Sequence, residues 1–401
     1  MWTSSTFHSI QGKLSAASSH RPRIRRGLIV LLMIGGVILS GCSALRSGRP
    51  LPSCPVRISG EKLADLLDDR GRSGLSLYDA AFFEGKLYVG SSVGLLVFEE
   101  YHLKGAFKCV SGPSDHFSDV IADPANGQLW VRNIFIDKPL IRFDGGSWHS
   151  IEIPIGPQPL TRLDIEKLKF FPAAKGFWMQ TSSAVWRWDN TALHWIAVPL
   201  PNVDCPVERD GDNLGAASCF VSIVPLKEVS AFVFRSSLSA HDQRSKPEAS
   251  NPDRIFVQQN GEWKNITPAE FQDLYVKDIV SAGGVTFART FDDSLFRIST
   301  DGVERIPLHG KIDALTVTSE GTLLAGLSDE GIFEFRDGWI KRFDYPTTID
   351  GNDVVRINEY EGKTLLLLRN FAFDEKGEKL EDDRIWLNAN GQLSELKLHS
   401  P

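Results

Sequence analysis

The sequence predicts an all-β fold, a β-propeller of seven four-stranded blades, on the basis of three features. A weak repeat recurs with a period of roughly 35–50 residues, which is the range of propeller blades. Each repeat contains four short apolar runs that are suited to β-strands. Asp-Gly and Asn-Gly pairs separate many of these runs, and such pairs favour the type I′ turns of β-hairpins. Because the repeat is degenerate, six or eight blades are the alternatives.

The repeat units follow one another along most of the chain. In each unit the first run holds an apolar pair near an acidic residue, the next two runs follow Gly-containing turns, and the fourth closes the unit. The units span residues 78–110, 120–151, 167–198, 220–266, 276–306, 312–343 and 354–396. Antiparallel four-stranded units that repeat in this way build a propeller, whose ring leaves few exposed strand edges. Tryptophans of the fourth runs are interpreted as anchors of blade packing rather than as ligand-stacking residues: Trp148, Trp195, Trp263 and Trp339.

One repeat carries a resemblance to a known group. Gly331-Ile332-Phe333-Glu334-Phe335, followed by Asp337-Gly338-Trp339, resembles the propeller repeats of bacterial two-component-regulator sensors and related lipoproteins. The likeness extends in degenerate form over roughly residues 75–400. It implies the propeller fold and no particular activity, because one fold hosts many functions.

The N-terminal region predicts an export signal. Four arginines between residues 21 and 26 precede an apolar run from Gly27 to Leu39, which at about 13 residues is too short to span a bilayer. Leu39-Ser40-Gly41-Cys42 resembles the lipobox of bacterial lipoproteins. That resemblance implies that residues 1–41 are removed and that Cys42 carries diacylglycerol and a further acyl chain such as palmitate. The alternative is an ordinary signal, or a short anchor, with a chance cysteine.

The segment after Cys42 predicts a tether and an arm. Ser43, rather than Asp, follows the lipidated position and favours the outer over the inner membrane of the envelope. Residues 42–74 are expected to form the tether and N-terminal arm, and residues 75–401 the propeller. Within the arm, residues 55–59 are predicted to add a strand to the last blade, and residues 61–70 to form a short helix packed on the ring.

Composition limits the partners. Removal of residues 1–41 takes away Lys13 and the four arginines and no acids, which changes the net charge from −7 to −12. Such an acidic body argues against nucleic-acid binding and against electrostatic adhesion to anionic lipid. Membrane attachment would therefore depend on the lipid. No motif for a cofactor or a phosphate loop occurs, so no cofactor is predicted.

The cysteine count fits an oxidising compartment. Four cysteines remain besides Cys42, and we predict two disulfides from them, Cys205–Cys219 and Cys54–Cys109. The alternative is a set of unpaired buried thiols. No Cys-x-x-Cys pair occurs, which argues against zinc ribbons and thioredoxin-like chemistry.

Long insertions predict a candidate binding face. They occupy residues 202–214, 236–253 and 374–383, in connections that emerge on one face of a propeller. The polar residues assigned to this face are Asn202, Asp204, Arg209, Asp210, His241, Arg244, Asp374 and Glu378. The alternative is that the insertions have no role, above all residues 236–253.

Acidic residues near the start of several units predict a central ring. They are Asp79, Asp119, Asp278, Asp313 and Asp353. A ring of carboxylates could hold a metal or serve a propeller hydrolase or lyase, but recurrent Asp near a strand start also forms structural turns, and we favour that interpretation. Asp115-His116 is likewise interpreted as a capped turn rather than an acid–base pair. The sequence therefore favours a non-enzymatic envelope lipoprotein that binds or scaffolds a protein or glycan, with a propeller hydrolase or lyase as the alternative.

Overall fold

The computed structural model describes the chain from residue 54 to residue 398 with internal gaps. The described ranges are residues 54–68, 74–110, 115–136, 138–154, 168–173, 176–180, 184–199, 209–210, 213–214, 220–225, 230–235, 254–259, 262–267, 276–282, 285–290, 293–299, 302–307, 310–318, 320–327, 330–345, 353–369 and 382–398. Cys42, residues 1–41 and the predicted tether lie outside them. In the described ranges, no helix is both long and apolar enough to cross a bilayer.

The described elements are one helix and a series of antiparallel sheets, which we number in chain order. The helix is α1 (Glu61–Asp68). Sheet 1 contains β1 (Val56–Ile58), β2 (Leu77–Phe83), β3 (Lys86–Ser91), β4 (Leu95–Glu99) and β5 (His102–Lys108). Sheet 2 contains β6 (Phe117–Asp123), β7 (Gln128–Asn133), β8 (Leu140–Phe143) and β9 (Trp148–Ile151). Sheet 3 contains β10 (Lys169–Ala173), β11 (Gly176–Gln180), β12 (Val185–Asp189) and β13 (His194–Ala197).

The second half of the chain continues this plan after a short hairpin of β14 (Arg209–Asp210) and β15 (Asn213–Leu214). Sheet 4 contains β16 (Phe220–Pro225), β17 (Ser230–Arg235), β18 (Arg254–Gln259) and β19 (Glu262–Asn265). Sheet 5 contains β20 (Val276–Ala282), β21 (Val285–Thr290), β22 (Leu295–Ile298) and β23 (Val303–Ile306). Sheet 6 contains β24 (Ile312–Val317), β25 (Leu323–Leu327), β26 (Gly331–Phe335) and β27 (Trp339–Phe343). Sheet 7 contains β28 (Asp353–Tyr360), β29 (Lys363–Arg369), β30 (Arg384–Ala389) and β31 (Gln392–Glu395).

The sheets form a β-propeller. The first strand of each sheet contacts the first strand of the next, in the cycle β2, β6, β10, β16, β20, β24, β28 and back to β2. These are therefore the innermost strands of a closed ring. The predicted all-β propeller is confirmed, but the expectation of four strands in every blade is wrong at one place. Six of the sheets have four strands, and sheet 1 has five because β1 adds to it.

Tight turns explain why neighbouring runs pair. Glu84 and Gly85 between β2 and β3 have φ angles of 49° and 73°, and Asn390 and Gly391 between β30 and β31 have φ angles of 55° and 81°. Two successive residues with positive φ are what a type I′ turn requires, and the twist of such a turn matches that of the strands it joins. The Gly-containing turns of the sequence thus become the hairpins of the blades.

The N-terminal arm corrects a second expectation. β1 pairs with β5, so the arm extends the first sheet and not the last; Val56 is opposite Lys108 and Ile58 is opposite Ala106. The physical reason is a disulfide between Cys54 and Cys109, which holds the start of the arm beside the end of β5. Closing a loop with a sequence separation of 55 stabilises the fold by about 4 kcal/mol in the chain-entropy model. The predicted Cys54–Cys109 bond is confirmed, whereas Cys205 and Cys219 lie outside the described residues.

Three of the fourth-strand tryptophans contact the neighbouring blade, in agreement with the role predicted for them. Trp195 of β13 donates its indole N–H to the carbonyl of Glu152, just after β9, over 2.9 Å. Trp339 of β27 donates in the same way to Pro307, just after β23, over 2.6 Å. Trp148 packs edge-on against Phe107 of sheet 1, with ring centroids 5.1 Å apart. Each of these indoles therefore links the outer part of its own sheet to the sheet before it.

Sheets 2 and 3 meet over a buried cluster of aromatic side chains. Trp130 is fully buried and stacks on Phe177 with ring centroids 4.1 Å apart. The Arg142 guanidinium lies 6.0 Å from the Trp130 ring and 5.7 Å from the Trp188 ring, at distances typical of cation–π contacts. Burial lowers the pKa of Arg142, while the nearby Asp144 raises it. The buried Arg132 guanidinium also lies 5.7 Å from the Phe170 ring of this cluster, so the stacked rings enclose two buried cations.

Candidate functional site at the start of the innermost strands

Five innermost strands share an irregularity near their start. In β2, β6, β20, β24 and β28 the register with the second strand shifts by one residue. A β-bulge of this kind inserts one residue and redirects the side chains that follow it. The residues immediately after the bulge are therefore structurally equivalent in these sheets.

The position of the bulge in each strand shows which of the predicted ring residues are structurally equivalent. Asp79, Asp119 and Asp278 each occupy the position after the bulge, opposite Gly90, Arg132 and Arg289. In β24 that position holds Ala314, so Asp313 lies one residue earlier. In β28 it holds Arg356, so Asp353 lies three residues earlier. The five candidate aspartates therefore do not share one equivalent position, because an inserted residue changes the count along the strands that hold Asp313 and Asp353.

Asp79 connects three sheets. Its Oδ1 lies 2.7 Å from Nε of Arg356 in sheet 7, and its Oδ2 accepts a second hydrogen bond from Arg356 Nη2 over 3.2 Å. The same Oδ2 accepts the backbone N–H of Val120 in sheet 2 over 3.1 Å, and Oδ1 accepts the N–H of Ala80 over 2.9 Å. Both carboxylate oxygens therefore already have partners within the fold.

Burial sets the electrostatics of Asp79. Its side chain is buried, and desolvation raises the pKa of this carboxyl above its ordinary value. Arg356 opposes this shift, while the charge of Asp119 adds to it. A buried carboxylate held by one cation and two backbone N–H groups is a structural joint, because neither oxygen is left for a ligand.

Asp119 belongs to a second joint. It pairs with Arg132 on the adjacent strand of sheet 2 and accepts the hydroxyl of Ser118 over 3.0 Å. Arg132 also donates to the carbonyl of Leu168, at the entry to sheet 3, over 3.0 Å. The carboxylate thus orients a guanidinium that crosses to the next sheet.

Sheet 5 contains an arginine at the position equivalent to Arg132 of sheet 2. Arg289 lies opposite Asp278 and donates to the carbonyl of Ile312, the first residue of the innermost strand of sheet 6. A buried arginine on the second strand, reaching the entry of the next sheet, is therefore a recurring blade connection in this ring. The side chain of Asp278 lies outside the described residues, so its own contacts add nothing to this comparison.

Asp115 is a capped turn, as the sequence analysis favoured. Its Oδ2 accepts the backbone N–H groups of Cys109 and Val110 over 2.5 Å and 3.1 Å, and its Oδ1 accepts Asn133 Nδ2 over 2.5 Å. Burial raises the pKa of this carboxyl, and the three hydrogen bonds oppose the shift. Asp115 thus fixes the connection between sheets 1 and 2 beside the disulfide.

Aromatic side chains surround the next residue, His116. Its Nδ1 lies 3.1 Å from the hydroxyl of Tyr78, and its ring meets Phe135 edge-on at 4.7 Å. These contacts join β2 to the connection after β7. Among the described residues, no group of three His, Cys, Asp or Glu side chains is arranged to hold a metal ion.

The predicted binding face is described only in part. Arg209 and Asp210 form β14 and pair with Leu214 and Asn213 in a short hairpin. The other residues assigned to this face lie outside the described residues: Asn202, Asp204, His241, Arg244, Asp374 and Glu378. The structure therefore brings Arg209 and Asp210 onto one strand and leaves the remainder of this prediction open.

Comparisons with known proteins return propellers and no family. No family model matches the chain, and no curated protein is significantly similar to it. YCF48 from Cyanidioschyzon merolae is 14% identical with a TM-score of 0.45, over 80% of this chain and 95% of that one. The extracellular domain of the putative one-component system BT4673 from B. thetaiotaomicron is 12% identical with a TM-score of 0.46, over 79% of this chain and 44% of that one.

A third similar structure is archaeal. The β-propeller domain of the Trilobed protease from Pyrococcus furiosus is 8% identical with a TM-score of 0.47, over 80% of this chain and 95% of that one. At such identities and TM-scores these likenesses carry no conclusion about ligand or activity. The fold assignment therefore depends on the sheets and the cycle of innermost strands described above.

Proposed function

We propose that this protein is a lipid-anchored propeller of the bacterial envelope that binds a protein or glycan partner and performs no catalysis. The observation that carries the non-catalytic part is the engagement of Asp79, whose two oxygens are taken by Arg356 and two backbone N–H groups. A propeller hydrolase or lyase with a central carboxylate or metal site would need such groups turned toward a substrate or an ion. Here Asp79 connects neighbouring sheets instead, and Asp119 pairs with Arg132 on the adjacent strand of its own sheet.

The anchoring part of the proposal has separate support. Leu39-Ser40-Gly41-Cys42 provides a thiol after two small residues, and the Cys54–Cys109 disulfide suits an oxidising compartment outside the cytoplasm. Ser43 favours the outer membrane as the final location. The acidic body, held in water by the lipid, would meet its partner through the insertions after sheet 3 and within sheets 4 and 7.

A capture experiment tests the partner. We expect the full-length lipidated protein, crosslinked in native envelopes, to recover a defined protein or glycan. The combined substitution Asp204→Asn, Arg209→Gln and Asp210→Asn should reduce that recovery by at least about tenfold, because a few residues dominate most interfaces. The matched control is Glu395→Gln with Lys397→Gln, two exposed positions at the end of sheet 7.

Two outcomes would contradict the proposal. Unchanged recovery with the triple substitution would remove this face from consideration. A stoichiometric divalent ion in the purified protein that is lost on substitution of Asp79 or Asp119 would instead favour the hydrolase or lyase.

A further inference from the structure

The ring closes without exchanging a strand between its ends. Every sheet is built from consecutive strands, and the strand order of sheet 7 contains no strand from the N-terminal half. In the described residues the first and last sheets meet where β2 lies against β28 and β29 and where the residues before β30 meet the start of β2. One backbone hydrogen bond, from the N–H of Asp383 to the carbonyl of Leu75 over 3.1 Å, stands in place of a continuous ladder. We call this meeting of sheets 1 and 7 the seam.

Side-chain contacts hold the seam at its inner side. Besides the Asp79–Arg356 pair, Asn358 Nδ2 donates to the carbonyl of Ala80 over 2.5 Å. A carboxylate just before β30 of sheet 7 accepts a further hydrogen bond: Asp383 Oδ2 accepts the N–H of Leu77 over 2.8 Å. Phe82 also stacks on Tyr360 across the seam, with ring centroids 5.0 Å apart. The seam is therefore closed by side-chain contacts and apolar packing rather than by a continuous backbone ladder.

Helix α1 packs on that seam. Leu63, Leu66 and Leu67 are buried in one apolar cluster together with residues of both sheets. The partners from sheet 1 include Leu77 and Leu87, and those from sheet 7 include Leu365 and Ile385. A helix that fills one cluster with both flanking sheets stabilises their contact, because opening the seam would expose its leucines to water.

The other end of this segment is fixed to sheet 1 alone. β1 contributes three residues paired with β5, and the bond from Cys54 to Cys109 lies just before it. A three-residue strand and an eight-residue helix are too short to persist by themselves. Their position on the ring therefore depends on the disulfide that precedes them.

We propose that residues 54–68 are a disulfide-locked clasp, which closes the seam between sheets 1 and 7 and is released when a dithiol reduces the Cys54–Cys109 bond. Cys109 is fully buried and Cys54 is half-buried, so the thiolate of the reductant attacks Sγ of Cys54. Cys109 leaves as a thiolate and takes up a proton. The second thiol of the reductant then displaces Cys54, which leaves two cysteine thiols and one oxidised reductant. The clasp does not require the proposed lipid anchor or partner.

Hydrogen exchange on the full-length protein tests the clasp. We compare the wild type with Cys54→Ser/Cys109→Ser and with the matched control Cys205→Ser/Cys219→Ser. In the first variant, exchange should become at least about tenfold faster in residues 56–68 and at the seam in residues 75–83 and 383–387. Exchange in β11 of sheet 3, which is not a neighbour of sheet 1 or sheet 7 in the ring, should stay within about twofold of the wild type, and the control variant should match the wild type at clasp and seam.

Several outcomes would overturn the proposal. One is faster exchange in the clasp with no change at the seam, since the clasp would then not hold the ring closed. Another is a uniform increase in every sheet, which would make the disulfide a general stabiliser. If the serine variant does not fold, the wild type treated with a dithiol during exchange gives the same comparison, and unchanged exchange at the seam overturns the proposal there.

Discussion

Replacing Trp130 with alanine should lower the free energy of unfolding by about 3–5 kcal/mol, the range for removing a buried tryptophan. The indole is fully buried between sheets 2 and 3 and stacks on Phe177, so its removal leaves a cavity between two blades and deprives Arg142 of one aromatic face. Equilibrium urea unfolding of wild type and variant, with an unchanged m value, measures the difference.

Two further variants serve as comparisons. One removes the indole N–H at position 130 but keeps an aromatic ring, and the other truncates an exposed side chain as a control. The indole N–H of Trp130 has no hydrogen-bond partner among the described residues, so Trp130→Phe should cost less than about 1.5 kcal/mol. Leu193→Ala, at a side chain that is 58% exposed, should change the free energy of unfolding by less than about 0.5 kcal/mol. Equal losses for Trp130→Ala and Leu193→Ala would show that this interface does not stabilise the fold.

Replacing Arg356 with methionine should destabilise the protein by about 2–4 kcal/mol at pH 7, because it leaves the buried Asp79 carboxylate without its cation. This loss is smaller than the largest losses known for breaking a buried ion pair, because the Arg356 side chain is 47% exposed and water screens its charge. Arg356→Lys keeps the charge and should cost less. The neutral pair Asp79→Asn/Arg356→Met should be more stable at pH 7 than Arg356→Met alone, since no unpaired charge stays buried.

The pH dependence of this effect has a definite sign. Burial already raises the pKa of Asp79, and loss of Arg356 removes the largest opposing influence, so the pKa rises further. A carboxyl whose pKa is raised on folding stabilises the folded state below its unfolded pKa of about 3.9 and loses that contribution as the pH rises through the folded pKa. The deficit of Arg356→Met relative to wild type should therefore shrink as the pH falls from 7 toward 4. A deficit that grows on acidification would show that Asp79 is not the partner.

The sequence predicted the repeating strands because turn chemistry and apolar runs are local signals. Gly85 and Gly391 mark turns that only residues tolerating positive φ can adopt, and the indoles of Trp195 and Trp339 recur at one position of the blade. The Cys54–Cys109 pairing is predicted as the pair that remains, within an even set of four cysteines, once Cys205 is assigned to Cys219. None of these signals requires knowledge of how the blades contact one another.

Two features depend on irregular backbone geometry or on contacts between distant residues. The bulge before Asp79 inserts a residue that no residue type announces, so the sequence alone does not show that Asp313 and Asp353 occupy positions different from that of Asp79. The equivalent position in β28 is Arg356, and a cation within the apolar run Val354–Ile357 was the available signal for the joint at the seam. The sequence predicts that the arm adds to the last sheet, because a strand from one end of the chain that joins the sheet at the other end would close the ring. A disulfide to Cys109 instead holds the arm on sheet 1.

The mass of the N-terminal peptide, measured on protein purified from native envelopes, tests the proposed lipid anchor. We expect this peptide to begin at Cys42 and to carry a diacylglyceryl thioether, with a further acyl chain on the amine. Cys42→Ala should keep residues 1–41 and lose the lipid. A wild-type peptide that contains residues before Cys42, or that begins there with an unmodified thiol, would contradict an anchored propeller of the envelope.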